Sequence, residues 1–169
     1  IPYKKADLVV AAFNQSGLPL KIAGDGPERK KLEKMAKNNI EILGYVDNKR
    51  LIELLSHCRA FIFPAEEDFG IAPVEAMASG RPVIAYAKGG ALETVVEGRT
   101  GLFFKDQTVD SLILTVKRFE KFEPLFNPQD SRTQAEKFSI ERYEMEWKEF
   151  VEKSLLEYNK DDKINLNIQ

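Results

Sequence analysis

Hydrophobic positions along the chain recur with two periods. Short runs rich in β-branched and aromatic residues, at 18–23, 40–45, 60–63, 82–86 and 102–104, read as buried strands. Between them, apolar residues repeat every three or four positions. Leu8, Val9, Ala12 and Phe13 predict a helix over 4–15 closed by Gly17, and Leu32, Met35 and Ala36 predict one over 27–38. Leu51, Leu54 and Leu55 predict a helix capped by Asp47 and ending near Arg59, and Thr108 caps another reaching about Phe122. Shorter helices are expected over 71–79 and 91–97. After a loop over 123–130 come helices over 131–138 and 139–159, the second with Tyr143, Trp147, Phe150, Val151 and Leu155 on one packing face. The polar stretch 160–169 is expected to fray. Strands alternating with helices predict an α/β fold, a doubly wound parallel sheet covered on both faces. A parallel sheet needs a strand to feed its first helix, so a strand and loop are expected ahead of Ile1, and the chain reads as a fragment. The expected organisation is one domain over 1–138, an amphipathic helix over 139–159 and a polar tail.

The stretch from Phe61 to Tyr86 is the best signalled. Its two strands flank a helix that tolerates Pro73 in its first turn and is closed by Gly80 and Pro82. Such a βαβ unit places the loop Glu66-Glu67-Asp68-Phe69-Gly70 at the carboxyl ends of parallel strands, where these sheets bind ligands. Glu67 and Glu75 both stay near that edge. The N–H groups around residues 69–72 form a helix N-terminus suited to phosphate oxygens. Two readings of Glu75 stand at this point. Its carboxylate can accept from two sugar hydroxyls, or it can merely complement the helix dipole, worth ~0.3–1 kcal/mol.

Composition narrows the classes. The chain has 169 residues, 25 basic and 27 acidic, for a net charge of −2, which argues against a binder of duplex nucleic acid. One cysteine, Cys58, allows no internal disulfide and fits a reducing cytoplasm. His57, the sole histidine, sits at a helix end where it can complement the dipole, and one histidine with one cysteine makes no zinc site. The lysines at 30, 31, 34 and 37 read as a solvated helix face. Gly24-Asp25-Gly26 follows a strand and opens a helix as a dinucleotide fingerprint does. Arg29 stands where the third glycine belongs, so a tight turn at the cleft edge is the better reading. Gly89-Gly90 reads as a strand-to-helix turn beside the same cleft.

Several motifs in order carry a resemblance. Glu67-Asp68-Phe69-Gly70-Ile71-Ala72-Pro73-Val74-Glu75 matches an E-x7-E pattern with a Phe-Gly centre. Residues 76–85, Gly89-Gly90-Ala91-Leu92-Glu93-Thr94-Val95 and Gly24-Asp25-Gly26-Pro27 follow the same template. Over residues 1 to about 122 the chain resembles the carboxyl-terminal, Rossmann-like half of retaining GT-B glycosyltransferases of family 4, with a mannosyltransferase-like subtype. The resemblance implies that Glu75 holds the nucleotide ribose and Glu67 contacts the donor sugar. Phe69, Gly70 and Ile71 would offer backbone amides to sugar and diphosphate. Tyr45 and Val46 are candidates to meet the base, with Gly24 beside them. Pro2-Tyr3-Lys4 matches the end of the family's R-L-x-P-x-K pattern. Lys4 is thus the expected diphosphate lysine and Lys5 its alternative, with the arginine falling before Ile1.

The function so implied is donor binding in a hexosyltransferase of polysaccharide or lipopolysaccharide assembly. The donor would be a GDP- or UDP-hexose, with GDP-mannose the leading choice, and neither a metal nor another cofactor is expected. The acceptor side would belong to an amino-terminal domain of the same polypeptide, and the fragment alone would turn over little. Partners would be the nucleotide-sugar and a glycan or lipid-linked acceptor, with no nucleic acid. The location would be cytoplasmic, with peripheral attachment to the inner membrane face left open. The competing class is a non-catalytic nucleotide-binding or interaction module on the same fold, which would have no reason to keep both Glu67 and Lys4. A hydrolase lacks the Ser–His or metal-ligand set it would need.

Overall fold

The computed structural model describes residues 2–165 and divides into two compact units, Ile1–Ala135 and Glu136–Gln169. The first unit is an α/β fold of alternating strands and helices. After a 3-10 turn at Pro2–Lys4 come α1 (Ala6–Ser16), β1 (Leu20–Ala23), α2 (Arg29–Met35), β2 (Ile40–Gly44) and α3 (Asn48–His57). Then follow β3 (Phe61–Phe63), α4 (Ile71–Ala78), β4 (Val83–Tyr86), α5 (Ala91–Thr94), β5 (Gly101–Phe104), α6 (Val109–Phe122), a 3-10 turn at Glu123–Leu125 and α7 (Pro128–Glu136).

All strand pairs are parallel, but the expected sheet comes as two ladders. β1 pairs with β2, and β4 sits between β3 and β5. No main-chain pairing joins the two ladders among the described residues, and the strand expected ahead of Ile1 lies outside them. Side chains of both ladders share one core. Leu20 and Ile22 of β1, Ile62 of β3, and Ile84 and Tyr86 of β4 all pack on it with Val10 and Phe13 of α1 and Leu112, Val116 and Phe119 of α6. Helix α1 touches α2, β2 and α6.

β4 shows why the sheet is covered on both faces. Its four residues are all buried, and strand geometry sends them alternately to opposite sides. Ile84 and Tyr86 join the core under α1 and α6. Val83 and Ala85 join a second core with Leu55, Phe63, Ala76, Met77 and Ala135. A strand buried on both faces reads as a continuous apolar run, which is how 82–86 reads in the sequence.

Several helices differ from expectation at their ends. α2 starts at Arg29 instead of 27, because Gly26 and Pro27 are used in the turn before it, and it stops at Met35, where Ala36 becomes extended. α5 ends at Thr94, three residues early, with the Val95 backbone extended. α7 begins at Pro128, inside the expected loop, since proline is well suited to a first helical turn. The caps read from sequence hold. Gly17 and Gly80 have φ of 72° and 73°, and Asp47 accepts from the Arg50 N–H at 2.7 Å. His57 lies in the last turn of α3, its Nδ1 2.8 Å from the Glu53 carbonyl oxygen. Asp47→Ala should cost about 1 kcal/mol by removing that cap. For a chain of this size, thermal melting should then shift down by about 2–4 °C.

The second unit is dominated by α8 (Ile140–Asn165), which continues six residues past the helix end expected at 159; residues 166–169 of the expected tail lie outside the described set. Its aromatic stripe is not a buried packing face. Tyr143, Trp147 and Phe150 are more than half exposed and stack on one another, with centroid separations of 6.3 and 5.9 Å.

Candidate functional site

The loop between β3 and α4 is held at both ends. At its start the Gln107 side-chain amide donates to the Pro64 carbonyl at 2.9 Å. At its end Gly70 caps α4 with φ 79°, a conformation that disfavours any Cβ. A Cβ there would also lie 2.7 Å from Cζ of the buried Phe63 ring. A bulkier residue at 70 would therefore have to displace the ring that fixes the loop to the sheet. Between these anchors Glu66, Asp68 and Phe69 turn outward, and with Glu67, Tyr3 and Gly70 they line an open cavity of about 420 Å³.

Glu67 is mostly buried, and its carboxylate forms an ion pair with the half-exposed Lys4 ammonium, 63 residues away in sequence. Burial alone would make Lys4 easier to deprotonate. The hydrogen bond and negative charge of Glu67, with a smaller contribution from Tyr3, outweigh it and push the ammonium above the usual lysine value. Lys4 Nζ also lies 5.2 Å from the centre of the Tyr3 ring. Lys5, the neighbouring alternative, makes no such contact. It is the N-cap of α1, with φ 52°, the only described non-glycine residue with positive φ.

α4 aims its first turn at the same edge. The leading N–H groups of a helix have no partner inside it, and the residues here are Ile71 and Ala72, with Ile71 68% exposed. Glu75 follows one turn later and is exposed. The arrangement offers a lysine, a helix N-terminus and the Glu67 carboxylate beside one opening, with Glu75 one turn further along α4. That set can hold an anionic group and accept hydrogen bonds from hydroxyls beside it.

The residues expected at the base form a second group. Gly24 donates its N–H to the Gly44 carbonyl at 2.7 Å, which ties the loop after β1 to the loop after β2. Gly44 has φ 68°, and the Arg29 guanidinium covers it, with Nη1 2.5 Å from where a Cβ would be. Arg29 itself pairs with Asp25 and Glu33. Beyond Gly44, Tyr45 is 79% exposed and Val46 is half-buried. Of the residues singled out from the sequence, Lys4, Glu67, Phe69 and Gly70 thus gather at the cavity or on its lining. Glu75 and Ile71 stand on the adjoining helix, and Gly24, Tyr45 and Val46 lie at the carboxyl end of the other ladder. Tyr3, Glu66 and Asp68 also line the cavity, signalled only by adjacency to Lys4 and Glu67. Gln107 carried no sequence signal, since one glutamine in a polar loop looks like any other.

Comparison with known proteins identifies the family. Residues 1–139 match the family described as glycosyl transferases group 1. The chain is 32% identical over 137 residues to an uncharacterized glycosyltransferase of Methanocaldococcus jannaschii, covering 78% of this chain and 37% of that protein. It is 33% identical over 128 residues to the GDP-mannose-dependent monoacylated alpha-(1-6)-phosphatidylinositol monomannoside mannosyltransferase of Corynebacterium glutamicum, covering 66% and 33%. The Anabaena protein HepE, solved in complex with UDP, shares the fold with a TM-score of 0.74 at 22% identity, over 90% of this chain and 46% of that one. The chain spans about a third of the length of these two curated relatives. With a match over most of its length and a site of this composition, the chain belongs to the glycosyl transferases group 1 family.

Proposed function

We propose that this chain is the donor-binding part of a retaining glycosyltransferase of family 4. It would move a hexose, mannose from GDP-mannose, to a glycan or lipid-linked acceptor in polysaccharide or lipopolysaccharide synthesis. The observation that carries the reading is the meeting of Lys4 and Glu67 at the mouth of the α4 N-terminus. A cation and free N–H groups favour negative charge, and transfer from a nucleotide-sugar builds that charge on the departing diphosphate. Stabilising it there is electrostatic catalysis. In this reading Lys4 exchanges Glu67 for diphosphate oxygens when donor arrives, and Glu67 turns to the sugar hydroxyls. Glu75 accepts from the ribose, and Tyr45 and Val46 meet the base. No metal or other cofactor is assigned a role.

The choice of mannose rests on the subtype resemblance and on the Corynebacterium relative, whose name specifies GDP-mannose. The UDP bound by the Anabaena protein keeps a UDP-hexose as the competing donor. The acceptor and remaining catalytic groups are assigned to an amino-terminal domain of the same polypeptide. No described helix is long and apolar enough to cross a membrane. In the proposed reading the acceptor is reached from the cytoplasm or at the inner membrane face, an assignment that rests on the family resemblance alone.

Calorimetric titration of the 169-residue chain with GDP, UDP and ADP tests the reading. GDP should bind most tightly. A clear preference for UDP would refute the mannose assignment, and failure to bind any of the three would refute donor binding. The same chain incubated with GDP-mannose and acceptor should give little or no transfer. Robust turnover would show that the acceptor site is not on a separate domain.

A further inference from the structure

Glu67 stands in the middle of its loop, away from the anchors at Pro64 and Gly70, and the backbone of that middle rests on a neighbouring turn. The turn Lys88-Gly89-Gly90 at the end of β4 runs beneath it, and the Gly90 N–H donates to the Glu67 carbonyl oxygen at 2.8 Å. The two backbones touch. A Cβ on Gly90 would lie 2.5 Å from the Asp68 carbonyl oxygen, and closer still to Cα and the carbonyl oxygen of Phe69. At such distances a backbone must move, because no flexible side chain is there to give way.

We propose that Gly90 is a positioning residue for Glu67. Its N–H and its bare Cα seat the loop so that the Glu67 carboxylate reaches Lys4 and the cavity. The consequence for donor sugar rests on the function proposed above; the seating itself does not. Gly90 has φ −61° and ψ −16°, ordinary values that any residue adopts. The requirement for glycine at 90 is therefore one of space. Gly89 differs, since its φ of 59° would confound a substitution with backbone strain. An alanine at 90 must lift residues 67–69 by about 1 Å to restore ordinary contact. The Lys4–Glu67 pair bridges two separate segments and cannot follow such a shift unchanged.

The test is Gly90→Ala in the 169-residue chain, beside Glu67→Ala and the double variant. Calorimetry with GDP and with GDP-mannose separates the increment owed to the sugar from nucleotide binding. The sugar increment should fall about 10-fold in Gly90→Ala and in Glu67→Ala. The double variant should lose no more of that increment than Glu67→Ala alone. A folded Gly90→Ala that keeps the full increment overturns the proposal. Titration of the Lys4 ammonium by NMR gives a readout independent of ligand. Lys4 should titrate lower in Gly90→Ala, as in Glu67→Ala, and an unchanged Lys4 overturns the seating even where nucleotide binding fails and the proposed function falls with it. Where Gly90→Ala does not fold, hydrogen exchange on the unsubstituted chain decides. The Gly90 amide should be protected like those of β4, and rapid exchange overturns the proposal.

Discussion

Glu75→Ala is expected to weaken binding of a nucleoside diphosphate by about 1.5–3 kcal/mol, the scale of hydrogen bonds to a charged group. That is a rise in Kd of roughly 10- to 100-fold. The substitution is informative because Glu75 is exposed, with its neighbours Ala76 and Met77 carrying the burial on that turn of α4. Removing the carboxylate leaves no buried partner orphaned and no cavity behind. Calorimetry before and after substitution measures the loss, with a thermal melt as control. If Glu75 only complements the helix dipole, Kd stays put and stability alone changes, by about 0.3–1 kcal/mol. The two roles proposed for the carboxylate thus separate in one pair of measurements.

Phe104→Ala should have the largest effect on stability, about 3–5 kcal/mol. Phe104 is 1% exposed at the end of β5 and heads the largest fully buried side chains of the described residues. Its ring packs on Tyr86 with centroids 5.6 Å apart and shares a core with Leu112 of α6 and Val10 of α1. Truncation removes contacts where β4 and α6 meet the strand and leaves a void the surroundings fill only in part. Against the 5–15 kcal/mol typical of a domain, the loss is large. Denaturant unfolding should show a markedly lower midpoint with an unchanged slope, and Phe104→Leu should recover most of the difference. A midpoint within experimental error of the parent would mean that β5 does not sit in the core as described.

The strands were legible as short apolar runs punctuated by glycine and proline, and β4 most clearly because it is buried on both faces, whereas Lys21 of β1 and Glu41 of β2 are exposed. The 82–86 run needed no partner information to be read as buried, and β4 is fully buried in the middle of its ladder. Helix ends were less legible wherever a turn competed for the same residues. Gly26-Pro27 looks like a helix start, but the chain spends both residues on the turn that leads to Arg29. α8 misled differently. Spacing alone places Tyr143, Trp147 and Phe150 on one face, yet spacing does not say what lies opposite, and these side chains are exposed. At the site, Glu67 and Lys4 stood out by motif, and their ion pair joins segments 63 residues apart that no local pattern connects. The role of Gly90 was hidden for the same reason. In sequence it is half of a plain turn, and only the backbone passing above it shows why a side chain has no room.

The bond between Gly24 and Gly44 has a mechanical meaning for the site. It joins the segment that leaves β1 to the last residue of β2, and Tyr45 follows directly. Two loops far apart in sequence are thereby coupled at their roots. A push on the exposed Tyr45 ring is felt at Gly24, and the two loops answer a visitor as one body.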